Sequence, residues 1–506
     1  EKGIHMRGSP LEQKQLIQLH SEKYVSLTMP RVLKMRDMLS TFVIILLFLA
    51  NVPNAIAGGA ASLTFWLAGA LLFFVPTVIV TAQLGVLFPY EGSIYNWTYK
   101  AFGPFLGFFT SVLFWIPGPL LILASADLII SYIQGLNAHW LVASWQQGLV
   151  LILILLGSAL VGSQRSRTVQ GIINATVWVC LLAVFLIFVA GVVWLLKGHQ
   201  SATSFRHMSD WAISWSPWYN PFSTSGNFGL FGLITLGYLG ANLPLNMAGE
   251  MSPERKVITQ HLLVGAAIVV VGYLLATWGV LVIVGAHGAN NLFVMVTAVN
   301  QSLGSIFGSI TAICILATIF VATIAYNCSY SRILMVASID QRLPVAAGRL
   351  NRNRVPSRAL WFQTCVAIVL AAVFFLIVPM FLDPNVTTTL VSQVYFTGVA
   401  AATVLWAFSS LFLFCNLLRF IQAHRDLVNR GKLFAIPVLV FVSLIGIVTG
   451  IVAIIDTMMN SWTPLISDSS WFLIIIGVVL TFLILACVAS MVSTSESLFE
   501  QMNEAE

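Results

Sequence analysis

Charged residues are scarce in this sequence, and their scarcity indicates the class of protein. Of 506 residues, 8% are Asp, Glu, Lys or Arg and 58% are hydrophobic, whereas ordinary soluble domains are roughly 25% charged. The six cysteines form no CxxC pair and lie inside or beside apolar runs. We interpret them as core residues, not as disulfides or metal ligands. The composition therefore excludes a soluble domain and indicates a protein that crosses the bilayer several times.

Apolar stretches of about 20 residues, the length that crosses ~30 Å of hydrocarbon, predict twelve membrane-spanning helices. The predicted spans are residues 38–59, 62–87, 104–133, 147–163, 168–196, 228–249, 259–285, 304–335, 358–381, 389–418, 434–457 and 470–492. Of 24 Lys and Arg residues, 22 lie on the side shared by both termini, and only Lys197 and Arg206 lie on the other. Because basic residues concentrate in cytoplasmic loops, we expect a plasma-membrane protein with both termini in the cytoplasm. The same distribution explains the net charge of +6 without a nucleic-acid partner.

Spans 1 and 6 both contain residues that interrupt helices. Span 1 includes the segment TFVIILLFLANVPNAIAGG with Pro53, and span 6 includes GLITLGYLGANLPLNMAGEM with Pro244. A proline has no N–H to donate within a helix. We therefore expect Pro53 to free the carbonyl of Leu49, and Pro244 to free that of Gly240.

The two breaks occupy corresponding places in two five-span halves, spans 1 to 5 and spans 6 to 10. Such a pair indicates an inverted-repeat transporter with its site at the membrane midplane. The alternative is that proline and glycine serve helix packing. The predicted organisation is an N-terminal cytoplasmic segment 1–37, a first repeat 38–196, an extracellular loop 197–227, a second repeat 228–418, a final pair of spans 419–492 and a cytoplasmic tail 493–506.

The stretch from Gln83 to Gly107, QLGVLFPYEGSIYNWTYKAFGPFLG, resembles the signature of the amino acid, polyamine and organocation (APC) transporter superfamily. Gln83 stands where the superfamily usually has glutamate, and Glu91 and Gly92 stand where it often has two glycines. Residues 237–254 and 326–360 resemble its sixth helix and its eighth helix with the following loop. The resemblance covers about residues 36–420. It implies an all-α, leucine-transporter-like fold with inverted five-helix repeats and discontinuous helices 1 and 6. Within the superfamily, residues 52–76, VPNAIAGGAASLTFWLAGALLFFVP, look most like the glutamate and aminobutyrate antiporter branch.

The resemblance also implies where a solute binds. Many relatives have a Gly-Ser-Gly break in helix 1, whose free amides bind the substrate carboxylate at the positive end of a half-helix. Counted back from Pro53, that motif falls on three apolar residues, and in helix 6 an asparagine stands where some relatives have an acid. The predicted substrate-binding residues are Leu46, Leu47, Phe48, Asn51, Gly237, Tyr238, Leu239, Gly240 and Asn242.

Ionisable residues are nearly absent from the spans, and Asp127 near the outer end of span 3 is the clearest one. A carboxylate at such depth is a candidate for gating or proton transfer, and the alternative is that it is hydrated at the outer interface. In span 8, Thr318 and Thr323 lie near one helical face. Because sodium-coupled relatives place hydroxyls on this helix, a cation site at the two threonines is a further hypothesis.

The sequence contains no P-loop, no HExxH and no GxGxxG after a strand, and its eight histidines have no ligand spacing. We therefore expect no enzyme activity, no cofactor and no metal. The prediction is a secondary-active transporter of amino acids or related amines, an exchanger or a symporter coupled to Na⁺ or H⁺, working as a monomer or homodimer in lipid. The alternative is a non-transporting membrane sensor, which should carry a signalling domain, or an intramembrane enzyme, which should carry paired ionisable groups at depth.

Overall fold

The computed structural model describes residues 18–214, 226–252, 254–289, 291–381, 384–462 and 466–505. The beginning of the predicted N-terminal segment and part of the predicted loop 197–227 lie outside these ranges. Within them the chain is helical, with turns, loops and a single bridge of β type between Leu33 and Met251. The prediction of an all-α fold is confirmed.

Eleven helices of the described chain are long and apolar enough to cross a membrane, and a twelfth is divided. The helices are α1 Met35–Gly58, α2 Ala61–Leu87, α3 Pro104–Leu136, α4 Ser144–Gly162, α5 Ser166–Leu196, α6 within residues 230–250, α7 Arg255–Ile283, α8 Ser305–Ile339, α9 Ser357–Met380, α10 Pro384–Ala423, α11 Ile436–Met459 and α12 Asp468–Ala505. The sixth falls short of a continuous span because it consists of two short segments, Leu230–Leu236 (α6a) and Leu243–Glu250 (α6b), joined by turns.

Helix α1 is divided too. Its first half, α1a, covers Met35–Leu46, and its second half, α1b, comprises short helical turns over residues 49–58. The first half packs against α5, α7 and α8, so the broken helix lies inside the bundle. Its apolar residues from Phe42 to Leu47 are at most 1% exposed, because helices cover them on every side.

The predicted effect of the two prolines is wrong. The Leu49 carbonyl accepts the N–H of Val52, and the Gly240 carbonyl accepts the N–H of Leu243 at 2.9 Å. Each proline is at the first or second position of a new helical segment, where an N–H is not required. Pro53 therefore lies at the start of the turn Val52–Ala55 within α1b, Pro244 lies at the start of α6b, and neither leaves the predicted carbonyl unpaired.

The connections 88–103, 163–165, 340–356 and 424–435, which include the short helices Ser93–Phe102, Val345–Gly348 and Arg425–Gly431, lie at one face of the bundle, which we call the basic face. A short helix from His20 to Thr28 lies against this face. Glu22 of this helix pairs with Lys100 at 2.8 Å, and the Ser21 N–H and hydroxyl both donate to Asp340 at 2.8 Å. Leu33 then forms its bridge beside the end of α6b. The segment before α1 thus ties the broken helices to the basic face.

Three buried charges join α6b, α8 and the loop after α2 on the inner side of the basic face. The Arg332 guanidinium lies 3.1 Å from Glu91 and also donates to Glu250. Burial raises the pKa of Glu91 to about 8. The effect of burial on this pKa is larger than the opposing attraction of Arg332, whose guanidinium is shared with a second carboxylate, Glu250. One cation between two carboxylates leaves room for a bound proton.

Candidate functional site

Helix α1 unwinds at two apolar residues. The helical backbone ends at Leu46, and Leu47 and Phe48 both have positive ψ values of 63° and 91°, outside the helical region. The next helical turn begins at Leu49. The break therefore lies five residues before Pro53, at the position that the family register indicated, although no glycine is present.

Two tyrosine hydroxyls stabilise this break. Tyr273 of α7 donates its hydroxyl hydrogen to the Leu46 carbonyl at 2.7 Å and accepts the Phe48 N–H at 3.1 Å and the Asn51 side-chain amide at 3.0 Å. Tyr326 of α8 donates to the Ile45 carbonyl at 2.8 Å. Carbonyls at the end of a helix have no partner within it. The two hydroxyls supply that partner, so the Ile45 and Leu46 carbonyls are paired where the apolar segment leaves the helical conformation.

The aromatic surroundings fix the position of Tyr273. The Trp66 ring stacks on it with centroids 4.1 Å apart, and the Trp66 indole N–H donates to Thr277 at 3.0 Å. A stacked pair of this kind contributes roughly 0.5–1.5 kcal/mol beyond its buried area. Helices α2 and α7 together hold the hydroxyl against the break.

The break in α6 requires glycine. Gly240 has φ +109°, a conformation that other residues rarely adopt, and a Cβ there would lie 3.0 Å from the Trp406 ring. A Cβ at Gly237 would lie 3.2 Å from the Asn51 amide nitrogen. The two breaks therefore meet at Asn51 and Gly237, and the absent side chains allow this close approach.

A cavity of about 160 Å³ lies beside the meeting point, with space for several water molecules. It is lined by Ile45, Phe48, Ala50, Asn51, Asn54, Leu121, Ala124, Ser125, Asp127, Leu128, Leu233, Leu236, Gly237, Leu239, Leu292, Tyr326, Val399, Thr403, Trp406 and Trp462. Leu292 and Trp462 belong to loops on the face opposite the basic face. The cavity therefore extends from the two breaks toward that opposite face.

The cavity is mostly apolar and carries one acidic group. Asp127 of α3 is its only lining Asp or Glu, and no Lys, Arg or His lines it. Among the described residues Asp127 forms no ion pair. The buried indole N–H of Trp406 has no acceptor within the described chain. The cavity can thus offer a carboxyl group and an unused hydrogen-bond donor to a solute.

The predicted site residues divide into two groups by position. Five line the cavity: Phe48, Asn51, Gly237, Leu239 and Asp127. The other seven, Leu46, Leu47, Tyr238, Gly240, Asn242, Thr318 and Thr323, lie outside its lining. The contribution of both groups to solute or ion binding stays a prediction.

The residues outside the lining have local structural contacts. Leu47 packs against α7 at Gly272, and the Tyr238 hydroxyl donates to the Trp66 carbonyl at 3.1 Å. Thr318 and Thr323 donate their hydroxyls to carbonyls one turn back in α8, at 2.8 and 2.9 Å. The Asn242 amide differs from these, because it is 1% exposed and neither its nitrogen nor its oxygen has a partner in the described chain.

Sequence reasoning missed Tyr273, Trp406 and Ser125. Tyr273 lies in the apolar stretch GYLLATWG, and a buried tyrosine hydroxyl generally finds a hydrogen-bond partner, so its position in mid-span was an available signal. Nothing local in the sequence identifies its partner, because Leu46 is 227 residues away. Trp406 and Ser125 reach the cavity by packing of α10 and α3, which a single sequence does not reveal.

A membrane bundle of twelve helices, with its first and sixth helices broken around a central cavity, is the architecture of leucine-transporter-like transporters. The chain belongs to the amino acid permease family, whose model matches residues 33–497.

The inner membrane transporter YjeM of Salmonella typhimurium is 23% identical over 461 residues, which cover 83% of this chain and 88% of that protein. The branched-chain amino acid permease BcaP of Lactococcus lactis is 24% identical over 356 residues, covering 64% and 70%. The manganese transporter of Eremococcus coleocola has a similar fold, with TM-score 0.59, 15% identity and coverage of 95% and 97%.

Proposed function

We propose that this protein is a secondary-active transporter that moves amino acids or related amines across the plasma membrane by alternating access. The observation that carries the proposal is the cavity at the two helix breaks, with Asp127 as its single charged lining residue. The name of its relative BcaP, a branched-chain amino acid permease, supports an amino acid as the solute.

The proposed recognition follows from the charge of the cavity. An ionised carboxylate in an apolar region is costly unless it has a partner, and an ammonium group of the solute supplies one at Asp127. The N–H groups of Leu49 and Ala50 begin α1b and have no acceptor within it, so they suit the carboxylate of an amino acid. A zwitterion would thus place its two charged groups on α3 and α1.

The proposed orientation follows from the positive-inside rule. The basic face is then cytoplasmic, both termini lie in the cytoplasm, and the cavity extends toward the outside. The buried triad of Glu91, Arg332 and Glu250 lies on the cytoplasmic side. Release of the solute inward requires α6b and α8 to separate there, so the triad would act as an inner gate.

The test is transport by the purified full chain in proteoliposomes. We expect saturable uptake of at least one amino acid or amine from a panel, and empty liposomes give the background. Uptake that requires the same solute inside indicates an exchanger, whereas uptake driven by an imposed Na⁺ or H⁺ gradient indicates a symporter. Absence of both with every solute in the panel would overturn the proposal.

The coupling ion is part of the same proposal. Thr318 and Thr323 retain hydroxyl lone pairs after donating within α8, so they can contribute to a sodium site. Uptake should then depend on the Na⁺ concentration. Thr318→Val should raise the Na⁺ concentration that uptake requires, while the unfolding temperature of the protein stays close to that of the wild type. Uptake that follows pH and ignores Na⁺ assigns the coupling to a proton and rejects the sodium site.

A further inference from the structure

Four arginines surround a hollow on the basic face, which shares no lining residue with the cavity at the helix breaks. Arg165 and Arg167 come from the beginning of α5, and Arg352 and Arg354 come from the loop between α8 and α9. The hollow has a volume of about 370 Å³, and its remaining lining residues are Pro30, Val32, Ser166 and Asn353. No acidic residue lines it, so its charge is uncompensated by its own walls.

The fold builds this hollow through specific contacts between the two loops. The side-chain amides of Asn351 and Asn353 both donate to the Ser163 carbonyl at 3.1 Å. The Asn351 side-chain oxygen accepts the N–H of Asn353 at 2.9 Å and that of Val355 at 3.0 Å. These bonds hold Arg352 in a short, closed turn against the end of α4, beside the two arginines of α5.

Two further features of the hollow are the backbone of Arg354 and the N-terminus of α5. Arg354 has φ +59°, a strained conformation for a residue with a side chain, and its guanidinium donates to the Thr28 carbonyl at 3.3 Å. The first turn of the 31-residue helix α5 contains no acid, so the positive end of its dipole is not neutralised. Glu250 lines an adjoining cavity that shares Ser166 with the hollow, and Arg332 already pairs with it.

From these observations we propose that the hollow is a binding site for a phosphate group, carried by an anionic lipid headgroup or by a soluble phosphate compound. Guanidinium groups bind phosphate through paired hydrogen bonds, and a helix N-terminus adds free N–H groups. Four like charges held together by hydrogen bonds and a strained backbone repel one another, and a bound phosphate removes that repulsion.

The surroundings favour the lipid as the source. Leu160 in the last turn of α4, Ile172 in the second turn of α5 and Phe362 in the second turn of α9 are 57%, 38% and 54% exposed. These apolar side chains provide the surface along which acyl chains would lie. The site is independent of the proposed substrate and would exist whatever solute the protein carries.

The experiment measures binding to the purified full chain. The probes are short-chain phosphatidylglycerol, phosphatidylcholine as the neutral control, and inorganic phosphate against chloride at equal ionic strength. Stabilisation against heat and retention of lipid in native mass spectrometry are the readouts. The test variant is Arg165→Gln with Arg352→Gln, and the matched control is Arg349→Gln with Arg358→Gln, which removes the same charge from exposed positions outside the hollow.

We expect phosphatidylglycerol to bind the wild type and the control, and to bind the test variant roughly 30-fold more weakly, because each basic residue near an anionic lipid contributes a factor of about five. If inorganic phosphate stabilises the wild type but not the test variant, and phosphatidylglycerol stabilises neither, the hollow binds phosphate and its ligand is a soluble phosphate compound. Equal weakening in both variants, or no effect of either probe on the wild type, would overturn the proposal. The unliganded test variant should unfold at the wild-type temperature or above, since it removes repulsion.

Discussion

Substitution of Tyr273 by phenylalanine should destabilise the broken first helix. The change deletes one oxygen and leaves the ring, its stack on Trp66 and the surrounding packing in place. That oxygen makes hydrogen bonds to the Leu46 carbonyl, the Phe48 N–H and the Asn51 amide, at 2.7 to 3.1 Å. The variant therefore tests whether a single hydroxyl of α7 stabilises the unwound segment.

The magnitude follows from how deeply each partner is buried. Leu46 is 1% exposed, so its carbonyl loses its partner without access to water, whereas the Phe48 N–H and the Asn51 amide border the cavity and can be hydrated there. A buried unpaired backbone group costs about 1–3 kcal/mol. We expect a total loss of unfolding free energy of about 2–4 kcal/mol, with most of it from the Leu46 carbonyl.

The assays are thermal unfolding of the purified protein and amide hydrogen exchange of the segment 46–51. Exchange in that segment should become faster in Tyr273→Phe, because local opening costs less. Tyr132→Phe is the matched control, since the Tyr132 hydroxyl is buried with no partner in the described chain, so its removal should leave stability unchanged or raise it. Equal stability and equal exchange of the two variants would refute the role of Tyr273.

Three further changes test other parts of the structure. Gly240→Ala should lower the unfolding free energy by about 1–3 kcal/mol, because φ is +109° and the new Cβ would lie 3.0 Å from the Trp406 ring. The assay is thermal unfolding, and the control is Gly477→Ala, because the space around Gly477 is open. Asp456→Ala should lower the unfolding free energy by about 1–3 kcal/mol and reduce transport, since Asp456 accepts the N–H of Gly232 in α6a at 2.7 Å. Unchanged thermal unfolding and unchanged uptake would contradict this expectation. Glu91 binds its proton more tightly in the folded protein than in the unfolded chain, so stability should fall as pH rises from about 4.5 to about 8. Glu91→Gln should make that fall shallower, and identical pH profiles of the two proteins would contradict the raised pKa.

The long apolar helices were predictable because membrane thickness fixes their length. The predicted span 62–87 agrees within a residue with α2 Ala61–Leu87, and the predicted span 168–196 agrees within two with α5 Ser166–Leu196. The breaks in α1 and α6 were also predictable in place. The cause of the breaks was not predictable. The sequence assigned the breaks to Pro53 and Pro244, whereas the structure shows that hydrogen bonds from other helices stabilise the first break.

The cavity was only partly predictable. Phe48, Asn51 and Asp127 stand out in the sequence, by register in a family motif or by polarity within a span. The hydroxyl of Tyr273 and the indole of Trp406 reach the same region through the packing of α7 and α10, and no local pattern encodes that packing. The same limit applies to the arginine hollow, where the sequence shows clustered charge and the structure shows which four side chains meet.

Binding of an amine to the wild type and to Asp127→Asn tests the central claim most directly. The variant keeps the size of the side chain and removes its charge, and Asp426→Asn makes the same change at an exposed position on the basic face. A solute that raises the unfolding temperature of the wild type and of Asp426→Asn should lose most of that effect in Asp127→Asn, since binding to the folded state stabilises it. Equal stabilisation of all three proteins would contradict the assignment of Asp127 to the solute site.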